Sequence, residues 1–284
     1  MQISVIISNY NNAIYLKECL DSVFKQNKIS FECIVIDDCS SDESVIDIFS
    51  QYESMHPNFK LIKHVENKGC GEARITGLKY ATGDYIIFLD SDDYYLNDHY
   101  LYDLYAAAVE TGSDIARAGY TDQHGEHFEQ TNSIITNKQE RIDIFNAHHV
   151  TSFWTVLTKR DLWKDIEYSP RPCIEDTPTY VKILLAANQI VYVENAGYCY
   201  RDNPTSIIRT VYPLKYQLFN TLSLCDIIDE CKKYDVKFIY TKTKVFDIFF
   251  SNAQMLGWNE ESFKGYEKWL NELDQYYEKY LTEK

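Results

Sequence analysis

The stretch DYIIFLDSDDYYLND, residues 84 to 98, joins an apolar run to a crowd of carboxylates, with Asp90, Asp92 and Asp93 falling within four positions. The run YIIFL carries apolar residues on both faces, as a strand buried inside a parallel sheet must. Three more β-branched runs precede it: ISVIIS (3 to 8), FECIVID (31 to 37) and FKLIKHV (59 to 65). They alternate with helical patterns at 13 to 26, 42 to 54 and 70 to 81. This alternation predicts an α/β fold, a parallel sheet wrapped by helices and built from right-handed βαβ units. Ligands of such sheets bind beyond the carboxyl ends of the strands. Here each of those ends is polar: SNYNN, DDCSSD, ENKGCGEAR and DSDD. Loop chemistry explains any one of them, because Asp, Asn and Ser favour turns and N-caps. The set of four points to one crevice.

The charge balance sharpens the question. Lys and Arg number 28 against 43 Asp and Glu, a formal net charge of -15, which repels nucleic acid and anionic lipid at long range. No nucleic-acid partner is expected. A nucleotide or pyrophosphate ligand would need a local cation, either a basic side chain or a bound metal. Close carboxylates destabilise one another unless protonated, hydrogen-bonded or neutralised, and a divalent ion meets that need at 90 to 93. Hard oxygen donors suit Mg2+ or Mn2+, with substrate phosphates completing the shell. The alternatives are a solvated turn, or a cap on a helix starting near Asn97.

Eight cysteines show no C-x-x-C pair and mostly sit in apolar segments, where free Cys behaves as a small hydrophobe; this reads as a reducing cytoplasm. The first residues lack a basic n-region, and no run approaches 18 apolar residues. A soluble, cytoplasmic chain is expected, with attachment to the inner face of the membrane left open.

From about 113 to 212 the strand-like pieces DIARAGYT, SFWTVLT and IVYVENAGYCY surround a helical DTPTYVKILLAAN at 176 to 188. They predict a second half that completes the sheet. From Pro213 onward apolar residues recur at helical spacing. The expected division is a domain over 1–212, in two halves at 1–95 and 96–212, followed by a helical C-terminal extension at 213–284. Those helices could form a homodimer, dock on a membrane-bound partner or complete the core. Asp122, His124 and His127 in DQHGEH have spacings a transition metal accepts, but Gly125 favours an exposed hairpin. His148 and His149 could line an acceptor site near Trp154 or be an ordinary loop pair.

The segments SVIISNYN, VIDDCSSDES, NKGCGEARITGLKYATGDYIIFLDSDD, WTVLTKRDLW, CIEDTPTY and YCYRDNPTSI occur in an order and spacing that resembles a family 2 glycosyltransferase with the GT-A fold. The likeness covers about residues 1 to 212. It implies a Rossmann-like, mostly parallel sheet flanked by helices. It further implies that Tyr10 stacks on the nucleotide base, that Ser8 contacts it through the backbone and that Asp38 accepts the base imide N–H. Arg74 would lie near base and phosphates, Asp90 would face the ribose or the metal shell, and Asp92 would bind the metal. Structural alternatives stand beside these: Tyr10 in the core, Asp38 capping the second helix, Arg74 paired with Glu72 or Asp84. Asp37 competes with Asp38, and the family pattern favours the second of the pair. Ser8 and Asn9 depart mildly from the commoner P-x-Y-N opening.

The same resemblance makes Asp176 the base that takes the proton from an acceptor hydroxyl, with Glu175 supporting the acceptor; an N-cap is the other reading of Asp176. A base opposite the leaving group implies inversion at the anomeric carbon. The implied activity is metal-dependent transfer from a nucleoside-diphosphate sugar, taken as a UDP-sugar, to a glycan or lipid-linked sugar acceptor. Arg201 or Ser206 could reach the phosphates, or belong to an edge strand and turn. A nucleotidyltransferase would usually bring a Gly-rich loop with Lys or Arg after the first strand, and SNYNNA has neither. A catalytically silent nucleotide-sugar binding or scaffold protein is the rival from another class.

Overall fold

Strands β1 (Ile3–Asn9), β2 (Phe31–Asp37), β3 (Phe59–Lys63) and β4 (Tyr85–Asp90) lie parallel in the order β3-β2-β1-β4 in a computed structural model. The structure describes residues 1–127, 133–148, 153–171, 173–204, 206, 213–257, 264 and 266–282; His149 lies outside them. Helices α1 (Ala13–Phe24), α2 (Glu43–Met55) and α3 (Cys70–Tyr80) connect these strands, within about a turn of the predicted bounds. Strand β3 stops before His64, whose imidazole turns to Asp38.

Alternation along the strands splits the core. Ile3, Val5, Ile7, Val35, Ile87 and Leu89 pack on one face with Leu16, Leu20 and Phe49. Ile34 and Ile36 face the other way onto Ala73 of α3. Each such side chain, fully buried, stabilises by about 1.5–3 kcal/mol. Gly77 sets how near α3 comes: a Cβ there would meet Ile6 Cγ2 at 2.3 Å.

The sheet continues through β9 (Val156–Lys159), β6 (Ile115–Asp122), β10 (Ile190–Cys199) and β5 (Tyr94–Tyr95), giving β3-β2-β1-β4-β9-β6-β10-β5. Strands β6 and β10 are parallel, while the short β9 is antiparallel to both neighbours and β5 to β10. β7 (Gly125–His127) returns on β6 as the expected hairpin, with Gly125 at φ 123°. β8 (Ile134–Ile135) pairs with β10. Helix α4 (Tyr100–Thr111) packs on β6 and β10. SFWTVLT is a strand only from Val156. Phe153–Thr155 form a 3-10 turn that aims Phe153 at Phe88 and stacks Trp154 on Tyr198 and Tyr200.

The chain divides into two compact units: 1–137, 152–168 and 186–203 with all the strands, and 138–151, 169–185 and 204–284. The second unit holds α5 (Lys138–His148), α6 (Asp176–Ala186), α7 (Pro213–Lys233), α8 (Lys242–Met255) and α9 (Glu267–Thr282). This grouping is drawn differently from the expected 212/213 division, because α5 and α6 share a core with the C-terminal region. Phe145 lies against Tyr180 and Phe238, and the buried Arg141 donates to the Leu184 carbonyl. Leu218, Leu222, Cys225, Phe246, Phe249 and Leu273 pack α7, α8 and α9 together. None of the eight cysteines is in a disulfide, and Cys33 and Cys225 are buried thiols whose burial raises their pKa. No helix among the described residues is long and apolar enough to cross a membrane.

Candidate active site

Strand order reverses between β1 and β4, and register brings their carboxyl ends level: Ser8 sits opposite Asp90, and Asn9 opposite Asp37. A switch point of this kind opens a crevice beyond the sheet. Tyr10 follows β1 and is 51% exposed, so it is not a core residue. Asn11, at φ 49°, accepts from the Ser41 and Asp42 amides with Oδ1, tying the loop after β1 to the loop after β2. Ser8 Oγ lies 3.2 Å from Cys70 Sγ at the start of α3.

Asp38 is buried. Its carboxylate takes the Lys68 and Gly69 amides at 2.9 and 2.7 Å, and His64 Nδ1 at 2.6 Å. Thr76 Oγ1 holds the other side of that imidazole at 2.9 Å. The Lys68 amide also reaches Oδ2 at 3.1 Å, so each carboxylate oxygen already has two partners. The cap of α2 is Asp42, not Asp38: the Asp42 side chain accepts from the Ser44 amide. Asp37 is also buried, with Asn9 Nδ2 at 3.4 Å.

Arg74 pairs with neither Glu72 nor Asp84. Its guanidinium donates to Asp90 Oδ1 at 2.7 Å and to the Tyr168 hydroxyl at 3.1 Å, and it lies over Phe88. A buried cation thus stands at the end of β4 in a chain of strong negative charge, within reach of anionic groups.

Beyond Asp90 the carboxylates are crowded. Burial and the nearby Asp90 charge push Asp92 above the usual carboxylate range, although Asn203 Nδ2 donates to it at 2.7 Å. Burial, Asp90 and Asp92 push Asp93 well above it, against the Tyr198 hydroxyl at 2.6 Å and the Arg201 amide at 2.8 Å. Arg201 is committed to this turn. Its Nε donates to the Asp92 carbonyl, its Nη2 to Glu18, and its guanidinium lies between the Tyr15 and Tyr94 rings at 4.8 and 4.7 Å.

The donor set is hard oxygen, and its ionised form awaits positive charge. Among the described residues no three His, Cys, Asp or Glu side chains converge as a metal cage. A site for Mg2+ or Mn2+ that takes one or two protein carboxylates and fills its shell from a diphosphate fits this arrangement. His127 instead pairs with Asp122 at 2.8 Å inside the β6–β7 hairpin.

Asp176 and Glu175 belong to the second unit. Asp176 opens α6, and its Oδ1 accepts from the Thr177 amide at 2.7 Å. Glu175 is buried, and its carbonyl accepts from the Thr179 hydroxyl at 2.7 Å. Ile174, just before them, has a left-handed backbone at φ 61°, uncommon for a β-branched residue.

Sequence reading missed His64, Tyr168, Tyr198 and Asn203. Tyr198 and Asn203 both lie within YCYRDNPTSI, where Arg201 and Ser206 are the more obvious partners for a phosphate. His64 ends a strand-like run, and nothing local marks it as the partner of Asp38.

Comparison with known proteins agrees with this geometry. Residues 4–166 match the profile "Glycosyl transferase family 2". Glycosyltransferase GlyG of Streptococcus pneumoniae serotype 4 is 29% identical over 231 residues, 75% of each chain. The poly(ribitol-phosphate) beta-N-acetylglucosaminyltransferase TarS of Staphylococcus aureus (strain MW2) is 32% identical over 207 residues, 70% of this chain but 35% of TarS. The crystal structure of S. aureus TarS 1-349 in complex with UDP-GlcNAc superposes with a TM-score of 0.72 at 25% identity, covering 97% of this chain and 80% of that one. With a family profile spanning more than half its length and a GT-A relative matching its fold, the chain belongs to glycosyl transferase family 2.

Proposed function

We propose that this chain is an inverting, metal-dependent glycosyltransferase that moves a sugar from a UDP-sugar to a hydroxyl of a glycan or lipid-linked acceptor. The observation that carries the reading is the crowding of Asp90, Asp92 and Asp93 where β4 ends at the switch point, with Asp90 on the buried Arg74 and burial raising Asp92 and Asp93. A site whose acids resist ionisation on their own is matched to a ligand that brings a cation with it. The TarS complex with UDP-GlcNAc supports the choice of donor.

In this reading the exposed Tyr10 ring stacks on the base, with the Ser8 backbone beside it. Asp38 accepts the imide N–H in exchange for one of its present backbone partners, and Arg74 faces the phosphates from its place on Asp90. Asp90 directs its remaining acceptor capacity to the ribose or the metal shell, and Asp92 is the direct ligand. A bound Mn2+ or Mg2+ would neutralise charge on the departing diphosphate. Asp176 takes the proton of the attacking hydroxyl and Glu175 orients the acceptor, which leaves the anomeric configuration inverted.

The test begins with a panel of nucleotide sugars, with and without manganese, read by UDP release and by thermal stabilisation. With the donor so identified, Asp176→Asn should lower turnover by about 100- to 10,000-fold, the range of general-base catalysis, while UDP and manganese still bind. Asp92→Ala should remove the metal dependence of UDP binding. Unchanged turnover in the first variant refutes the base; unchanged metal-linked binding in the second refutes the ligand. A silent binding protein would show stabilisation by a nucleotide sugar and no release.

A further inference from the structure

The second unit contains a buried guanidinium that this chemistry does not use. Arg171 is 4% exposed. Its Nη2 meets Asp226 Oδ2 of α7 at 2.6 Å and its Nη1 meets Glu272 Oε1 of α9 at 2.7 Å. The Trp269 ring covers it at 5.2 Å, and the Tyr276 hydroxyl donates to the other Asp226 oxygen at 2.6 Å. Two carboxylates from two helices therefore converge on one side chain, five residues before Asp176.

The backbone on either side of Arg171 is clamped at further points. The Ser169 amide donates to Thr179 Oγ1 of α6 at 2.9 Å, and that hydroxyl donates to the Glu175 carbonyl. Ser223 of α7 donates to the Ile174 carbonyl at 3.3 Å. Ile174 is the left-handed residue. A strained conformation of this kind persists where its surroundings over-determine it. Buried ion pairs are a weak source of stability, since an apolar replacement often does as well; what a planar guanidinium adds is fixed geometry between its partners.

We infer that Arg171 is a positioning residue for the transfer reaction: through Asp226, Glu272 and the Ser223 clamp, the C-terminal helices hold Arg171 and residues 173–176 in the conformation that presents Asp176 and Glu175. The inference rests on the assignment of Asp176 as the base. It gives α7 and α9 a part in chemistry although the family profile, residues 4–166, ends before them.

The test uses the full chain and the donor found in the nucleotide-sugar screen. Arg171→Gln should lower kcat by on the order of tenfold to a hundredfold, with donor KM and calorimetric UDP–manganese affinity unchanged, as expected of a misplaced catalytic group. Arg171→Lys, which keeps the charge without the fork, should recover only part of the loss. In an Asp176→Asn background, Arg171→Gln should cause no further loss, because the group it positions is already gone. Lys242→Gln is the control: it breaks the separate buried pair to Asp229 at 2.7 Å and should lower the melting temperature while kcat stays put.

Should Arg171→Gln fail to fold, Glu272→Gln and Ser223→Ala carry the test, each with a several-fold drop in kcat alone. An unchanged kcat, or losses that multiply fully in the double variant, overturns the positioning role. If Asp176→Asn loses turnover while Arg171→Gln keeps it, positioning fails and the base survives. If Asp176→Asn keeps turnover, the base assignment fails first and takes this inference with it.

Discussion

The two ends of the sheet handle buried acid in opposite ways. At the amino end Glu32 of β2 is buried, and its Oε1 accepts from the Ser4 hydroxyl at 2.6 Å and from the Thr82 amide and hydroxyl, each at 2.7 Å. Burial alone would raise this carboxyl, yet the donors outweigh it and hold it below the usual range. At the carboxyl end burial and mutual repulsion win, and Asp92 and Asp93 lie above that range. At one end the donors outweigh burial; at the other Asn203, Tyr198 and the Arg201 amide do not. In the proposed reading, the difference separates an acid of the scaffold from acids that a ligand's cation would meet.

The strongest way to break this comparison is at the scaffold end. Glu32→Leu strands the Ser4 and Thr82 donors in a buried place and should cost about 3 kcal/mol, on the order of 8 °C in the unfolding midpoint. An unaltered midpoint would show that Glu32 is held no more firmly than Asp92.

The second prediction sets the ends against each other by pH. A carboxyl lowered in the folded state contributes stability present above its unfolded value, near 4, and lost as pH falls through the lower folded value. A raised carboxyl does the reverse: its penalty begins near pH 4 and grows as pH rises to the folded value. Metal-free protein should therefore lose stability on both sides of a mildly acidic optimum, in urea unfolding followed by fluorescence. Asp92→Asn should flatten the upper limb only, and UDP with manganese should do the same for the wild type. An upper limb unmoved by either would remove the carboxyl-end acids as its source.

The smallest effect is expected from Tyr198→Phe, which deletes one donor to Asp93 and should cost about 1 kcal/mol. It should also steepen the upper pH limb, since the ionised form loses a partner. A flatter limb would contradict the picture.

The first half of the fold was legible because each buried strand and its helix announce themselves within a dozen residues. ISVIIS, FECIVID and YIIFL need no distant information to be read as two-sided strands. Asp90 and Asp92 stand out for the same reason, because they follow such a run, whereas Ser8, Tyr10 and Arg74 are named only through the resemblance of their segments to family 2 glycosyltransferases. What stayed hidden depends on pairing across the chain. Arg74 finds Asp90 rather than Glu72 because α3 and β4 meet at their ends. Asn203 reaches Asp92 from 111 positions away, and Arg171 reaches Glu272 on the last helix. The grouping of α5 and α6 with the C-terminal helices is hidden likewise, since an amphipathic stripe states that a face is buried and not what buries it.

The amide oxygen of Asn11 and the carboxylate of Asp38 each bind a loop that follows a different strand. The segments after β1, β2 and β3 consequently behave as one knotted part. Anyone wishing to retune this protein toward another nucleotide should exchange all three together, because a single grafted segment would arrive without the anchors that give it shape.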